Sequence, residues 1–171
     1  MKVILYMVQT PNGIIARENG EEDFLSDKNL LTFYKLAKDF GCFIIGSKAY
    51  GAVKKWADCP FDNVSAKTIV VSTDKTFKVK KGYTLANSPE DALFKASSLG
   101  FNRVILTGGG AINSSFMRKK LVDEIILNIE PFVLGKGIKI FSEEDFEFKL
   151  KLKDIKKLDS GIVQVRYLVI K

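Results

Sequence analysis

A chain of 171 residues, 46% hydrophobic and 27% charged, has the composition of a globular protein and is long enough to bury a substantial core as a single domain, 1–171. Its first apolar run, Val3 to Val8, is too short to span a bilayer or to act as a signal segment, so a cytoplasmic location and no membrane partner are expected. The net charge of +7 comes from scattered lysines without interleaved aromatics, which favours a solvated basic surface over a nucleic-acid site, and the lack of histidine excludes His-based triads and mixed Cys/His zinc sites.

Lys2 to Val8 reads as a strand buried on both faces, the kind found inside a helix-covered sheet. Gln9 to Gly13 has turn composition, and Ile14-Ile15-Ala16 resumes an extended piece. After the polar stretch from Glu18 to Asp23, Ser26 reads as a helix N-cap and Asp27 as a first-turn carboxylate. Leu30, Phe33, Tyr34, Ala37 and Phe40 then recur at helical spacing until Gly41 stops the helix. Cys42 to Ile45 is the next buried strand, with Cys42 as a small core residue; it ends at Gly46-Ser47-Lys48 and a short helix to about Trp56. Neither Cys42 nor Cys59 has partners for a metal site, and no metal is expected.

Trp56 to Ala66 reads as a loop, Lys67 to Ser72 as a strand, and Asp74 to Lys81 as a charged edge strand or loop. Ser88-Pro89-Glu90-Asp91 combines an N-cap serine, an N1 proline and an N3 carboxylate; Ala92, Leu93, Ala96 and Leu99 follow at helical spacing, and Gly100 closes the helix. Val104-Ile105-Leu106 is a buried strand ending in Thr107 and Gly108, Gly109 and Gly110, before a helix-forming segment from Ala111 to Lys120. Strand, glycines and helix set bare N–H groups beside an anion, usually a phosphate, although plain turn chemistry gives the same pattern. The junction at Gly46 repeats the arrangement, and two such junctions strengthen a dinucleotide reading. Ile125 to Ile129 is a further strand. Phe146, Phe148, Leu150 and Leu152 alternate with charged residues as in a half-exposed antiparallel strand; Lys153 to Ser160 turns, and Ile162 to Ile170 alternates again. The expected architecture is a three-layer α/β/α domain with a mostly parallel sheet and an antiparallel C-terminal hairpin.

From Gly108 to Phe141 the order is GGG, a helix, Leu121-Val122-Asp123-Glu124, a strand, Pro131, Leu134-Gly135-Lys136-Gly137 and a phenylalanine. This resembles the dihydrofolate-reductase-like superfamily, and within it the reductase domain of riboflavin biosynthesis. The resemblance implies that superfamily's topology, NADPH as cofactor, a homodimer joined through the sheet end, and hydride transfer to a small-molecule substrate, either a pterin or a ribosylaminopyrimidine. A non-catalytic dinucleotide-binding protein is the alternative. By resemblance, Gly46, Ser47, Lys48, Ser72, Thr73, Gly108, Gly109, Gly110, Ala111 and Ile112 surround the dinucleotide, with Ile15 against the nicotinamide. Thr10, Asn12, Phe24, Lys38 and Thr107 fall to the substrate, and Asp27 takes the catalytic place. Asn29 fits that place by spacing too, and Asp27 also reads as a plain first-turn carboxylate. Thr10 and Asn12 stand for the family's Ser and Asp, Ser47 for a common Arg, and Lys38 for an Arg, though Lys38 equally reads as a surface lysine. Thr107 stands where a Glu is common, which implies weak activity on the riboflavin precursor unless Asp27 or Glu22 supplies the carboxylate.

Overall fold

A computed structural model describes residues 1–56 and 59–171; Ala57 and Asp58, in the loop expected from Trp56 to Ala66, lie outside the described residues. The continuous apolar run at the N-terminus forms β1 (Lys2–Gln9). Because side chains alternate along a strand, Val3, Leu5 and Met7 enter one core and Ile4 and Tyr6 the other, and both sides of the strand are covered. On the Val3 side pack α3 (Pro89–Ser98) and α4 (Gly110–Arg118); on the Ile4 side pack α1 (Asp27–Phe40) and α2 (Ser47–Val53).

The remaining strands are β2 (Ile14–Ala16), β3 (Cys42–Gly46), β4 (Lys67–Val71), β5 (Thr84–Ala86), β6 (Arg103–Leu106), β7 (Glu124–Ile129), β8 (Ile138–Lys139), β9 (Lys149–Lys157) and β10 (Val163–Ile170). Eight form one sheet in the order β5-β4-β3-β6-β1-β7-β10-β9, while β2 and β8 make a separate antiparallel pair. Pairing is parallel from β5 through β7 and antiparallel from β7 to β10 and from β10 to β9. The three-layer α/β expectation and its antiparallel end therefore stand. The segment from Asp74 to Lys81 forms no strand; the edge strand beside β4 is β5, a little later in the chain.

Two local departures have physical causes. The buried stripe of α1 begins with a polar residue: Asn29, Phe33 and Ala37 are buried, whereas Leu30 is exposed at its own residue level. The C-terminal hairpin runs further than its apolar alternation. β9 starts at Lys149 and continues through Lys157, across residues whose composition suggested a turn. Strand β9 is the sheet edge, paired only with β10, so nearly all of its side chains are solvated and no apolar alternation is required of them. Its lysines also discourage further edge pairing. Phe146 and Phe148 instead pack with Phe141 in an aromatic row beside the α4 core.

The hairpin is tied to the sheet by one buried carboxylate. Glu124, fully buried at the start of β7, accepts from Arg166 Nη2 at 2.6 Å and from Lys153 Nζ at 3.1 Å, and pairs with Lys2 Nζ at 3.1 Å. Burial alone would raise its pKa, but the three cations outweigh it and hold the carboxyl down at about 2. Removing the charge leaves three cations around an uncharged group. Glu124→Gln is expected to cost about 3 kcal/mol of unfolding free energy at neutral pH. Because the folded pKa is depressed, wild type loses this advantage as pH falls from 4.5 towards about 2. Denaturant titrations of both proteins across that window check it, and a gap that does not narrow would contradict it.

Candidate active site

Parallel pairing brings the carboxyl ends of β1, β3, β4 and β6 to one edge of the sheet, where open α/β sheets take ligands. The glycine turn lies there. Gly46 N–H donates to Gly108 O at 2.8 Å, and Thr107 N–H to Ile44 O at 2.9 Å, so the end of β3 and the turn after β6 are one unit. The Gly108–Gly109 peptide is cis. The three glycines differ in what they must do. Gly108 has φ +90° and sits so close to Met7 that a Cβ would lie 2.9 Å from its sulfur. A Cβ on Gly110 would meet Lys139 O at 2.5 Å. At Gly109 a Cβ would meet only Ala49 Cβ, at an ordinary 3.6 Å, so the fold does not demand glycine there. Gly110 and Ala111 open α4, and the N–H groups of a first helical turn have no acceptor within the helix.

Beside this edge, on the α1 and α2 side of the sheet, is a cavity of about 260 Å³. Its walls are apolar and aromatic: Phe33, Phe61 and Trp56, with Leu25, Val53 and Ile15. Phe33 meets Phe43 and Phe61 edge-on at 5.2 and 5.7 Å, which fixes the floor. Thr107, Glu22 and Asp27 supply its polar groups, together with Ser26 and Asn29. Three acids stand in a row at Glu21, Glu22 and Asp23. Asp23 pairs with Arg17 at 2.5 Å and Glu21 is exposed, leaving the middle carboxyl to turn inwards. Desolvation raises the Glu22 pKa to about 7.

A buried polar network seats the start of α1 beneath the cavity. The Ser26 side chain makes no capping bond; Ser26 N–H instead donates to Glu130 Oε1 at 2.8 Å, and Asn29 Nδ2 donates to the same oxygen. Asn128 Nδ2 donates to Asn29 Oδ1 at 2.7 Å and to Tyr6 Oη at 3.1 Å, and Tyr6 donates to Asn29 O at 3.2 Å. Burial, and then the Glu130 charge, push the Tyr6 phenol pKa up, so it remains a neutral donor. The helix N-terminus is thus capped by a carboxylate from the end of β7, 104 residues away in sequence.

Of the residues expected at the site, Ile15, Asp27 and Thr107 line the cavity. Gly46, Ser47, Gly108, Gly109, Gly110, Ala111 and Ile112 gather at the strand-end turns, and buried Ile112 packs on Gly46, where an added Cβ would come within 3.1 Å of it. Lys48 is exposed on the first turn of α2, next to Ala49, which faces Gly109. Ser72 and Thr73 follow β4, and the Ser72 hydroxyl accepts from Asp74 N–H at 3.2 Å.

Other expected residues are placed differently. Lys38 is exposed eleven positions after Asp27 along α1, roughly 16 Å away at 1.5 Å per residue. That end of α1 lies at the opposite sheet edge, where Arg103 at the start of β6 donates to Asp39 O at 2.7 Å. Lys38 is not part of the cavity lining. The Thr10 hydroxyl is committed to its own turn, accepting from Ile14 N–H at 3.0 Å and donating to Asn12 Oδ1 at 2.7 Å. Asn12 Nδ2 donates to Leu134 O at 2.7 Å, a bond that an aspartate could not make. Asn12 thus joins the first turn to the 131–137 loop, and neither residue lines the cavity. Phe24 stacks on Phe132 at 5.5 Å and is not a cavity wall. Trp56 lines the cavity without a sequence signal of its own, and Glu22, expected only as a stand-in carboxylate, lines it as well. Among the described residues no helix is long and apolar enough to cross a membrane.

The chain is similar to the uncharacterized protein YwjB of Bacillus subtilis (strain 168), 29% identical with 97% of each chain covered. Among solved structures it resembles a dihydrofolate reductase from Enterococcus faecalis complexed with NADP(H) and RAB-propyl, at TM-score 0.73 and 15% identity, covering 99% of this chain and 97% of that one. It also resembles a Thermotoga maritima diaminohydroxyphosphoribosylaminopyrimidine deaminase/5-amino-6-(5-phosphoribosylamino)uracil reductase, at TM-score 0.75 and 17% identity, covering 99% of this chain and 56% of that one. The fold is thus dihydrofolate-reductase-like. The family model described as the RibD C-terminal domain matches residues 1–164, and the chain belongs to that family.

Proposed function

We propose that the protein is an NADPH-dependent reductase that adds hydride to a pterin or a ribosylaminopyrimidine, with the dinucleotide along the strand-end edge and the substrate ring in the cavity. The reading rests on one observation: the desolvated Glu22 carboxyl and Thr107 share a cavity that adjoins a glycine turn able to admit an anion at Gly109. The residues fit a pyrophosphate, because Gly109 is half-buried with room at its Cα and the first-turn N–H groups of α4 lack helical acceptors. Bound there, a reduced nicotinamide supplies two electrons as hydride, which with one proton turns C=N into CH–NH. Glu22 holds that proton on its carboxyl oxygen, since a pKa near 7 leaves it about half protonated at neutral pH. Asp27, exposed at the start of α1, supports the helix dipole and is the weaker candidate. The apolar walls exclude water from the reacting carbon. Oxidation of NADPH by pure protein with dihydropterin or ribosylaminopyrimidine tests the reading.

Lys48 would favour NADPH over NADH through the 2′-phosphate. Lys48→Ala is expected to weaken NADPH binding by roughly 1–3 kcal/mol and to leave NADH nearly unchanged. Calorimetric titration with both dinucleotides checks this, and equal losses would refute it.

A homodimer would cover the sheet end, where Leu150, Leu152 and Ile155 of β9 are exposed. Sedimentation equilibrium should give a dimer for wild type and a monomer for Leu152→Glu. A monomeric wild type would contradict the assignment.

A further inference from the structure

We propose that a second cavity, which shares Phe61 as a wall with the first, binds a small phosphate-class oxyanion, and that its occupancy is felt in the first cavity through that ring. The proposal goes beyond the reductase reading and does not depend on it.

The second cavity, also of about 260 Å³, lies between the single helical turn Pro60–Asn63 and the turn 80–83, at the amino ends of β4 and β5. The glycine turn follows the carboxyl end of β6, at the other end of these parallel strands, so the second cavity is no extension of the dinucleotide edge. Among the described residues Phe61 is the one lining residue that the two cavities have in common.

Charge sets the sign of the ligand. The lining holds Lys80 and Lys81 against one carboxylate, Asp62, which leaves one net positive charge. Asp62 is already engaged: it accepts from Lys80 Nζ at 2.7 Å and from Tyr83 Oη at 2.9 Å. An ammonium has three donors, so Lys80 keeps further N–H groups for a ligand. Lys81 has no hydrogen-bond or ion-pair partner among the described residues. Thr68, only 3% exposed, adds a hydroxyl to the lining. An oxyanion with several acceptor oxygens engages both ammonium groups at once.

The turn is built before any ligand arrives. Lys67 Nζ donates to Gly82 O at 2.7 Å, Tyr83 N–H to Lys80 O at 3.1 Å, and Lys80 N–H to Tyr50 Oη at 3.3 Å. These bonds hold the backbone from which both lysines project, which lowers the ordering cost of binding. The volume falls below the roughly 300–1,000 Å³ of ordinary ligand sites, which suits a single oxyanion or a small phosphomonoester and not a nucleotide.

Phe61 and Asp62 are neighbours in one helical turn. The Phe61 ring packs 5.7 Å from Phe33, another wall of the first cavity. An oxyanion that draws Lys80 from Asp62 loosens the tie between this turn and the turn 80–83, and the ring that shifts with it borders the first cavity.

Trp56 is the single tryptophan and lines the first cavity, so its emission reports movement there. The test titrates the full chain with inorganic phosphate in place of chloride at constant ionic strength, by calorimetry and by Trp56 fluorescence. Wild type should bind phosphate saturably, with Trp56 emission changing along the same curve. Lys81→Ala should weaken binding about tenfold. Lys35→Ala, which removes an exposed lysine of α1 and the same charge, should leave it unchanged. Asp62→Asn, checked for folding by its thermal melt, should bind phosphate more tightly, because Lys80 is released from its carboxylate. The site is overturned by the absence of saturable heat, by wild-type affinity in Lys81→Ala, by equal losses in Lys81→Ala and Lys35→Ala, or by a folded Asp62→Asn that binds more weakly. Binding that leaves Trp56 emission unchanged overturns the link between the cavities. Glycerol 3-phosphate, titrated in parallel, separates two sources of the same chemistry: tighter binding than inorganic phosphate supports a phosphomonoester in the site, and weaker binding supports the free ion.

Discussion

Gly109→Val is expected to abolish dinucleotide binding while the protein stays folded. The three turn glycines have different constraints, which separates binding from stability. At Gly109 φ is −72°, a conformation open to any residue, and an added Cβ meets only Ala49 at 3.6 Å. The valine methyls would instead occupy the space before α4 into which a pyrophosphate would fit. Losing two hydrogen bonds to a charged group, at roughly 1.5–3 kcal/mol each, predicts a fall in affinity of about 100-fold or more. Gly110→Ala behaves in the opposite way. Its Cβ would lie 2.5 Å from Lys139 O, a backbone atom, and the variant should lose about 1–3 kcal/mol of stability. Thermal melts and dinucleotide titrations of both variants decide the matter. Wild-type affinity in a folded Gly109→Val protein would remove the turn from the site.

The second large effect concerns Glu22. Glu22→Gln should lower kcat/KM by about 10²–10⁴-fold if the carboxyl delivers the proton. Wild-type activity should decline as pH rises through about 7, where the carboxyl loses its proton, and the variant's residual activity should lack that step. Stability carries the same signature with a defined sign. The folded pKa lies above the usual 4.5, so the native state holds the proton more tightly than the unfolded chain. Wild type is then free of penalty below pH 4.5, loses stability as pH rises to about 7, and carries the full cost above it, up to about 3 kcal/mol. Glutamine never ionises, so the variant should be the more stable protein at alkaline pH and show no slope between these values. A wild type whose stability is flat across that window would place the Glu22 carboxyl in solvent.

The parts of this molecule that could be read in the sequence are those set by short-range patterns. Strand β1 declares itself because both of its faces need apolar residues, and α3 because Ser88, Pro89 and Asp91 cap it locally, with Ser88 Oγ accepting from Asp91 N–H at 3.1 Å. The glycine turn is visible because Gly108 and Gly110 are sterically required. What escaped depends on long-range contacts. The start of α1 is capped by Glu130 instead of Ser26, and nothing near Ser26 announces a carboxylate from β7. Asn29 interrupts the apolar stripe because its amide belongs to the same network. Lys38 lies outside the cavity lining because α1 carries it towards the start of β6, a fact of topology that spacing does not encode. Glu22 is legible only as a stand-in carboxylate beside Asp27; the contact that leaves it free to face inwards, Arg17 holding Asp23, is not encoded near it.

The most direct test of the assignment is the loss of dihydronicotinamide absorbance when pure protein meets NADPH together with a dihydropterin or a ribosylaminopyrimidine. The account predicts oxidation of one NADPH per substrate reduced, abolished in Gly109→Val and strongly reduced in Glu22→Gln. It would be contradicted by a wild-type protein that neither binds NADPH nor oxidises it with either class of substrate.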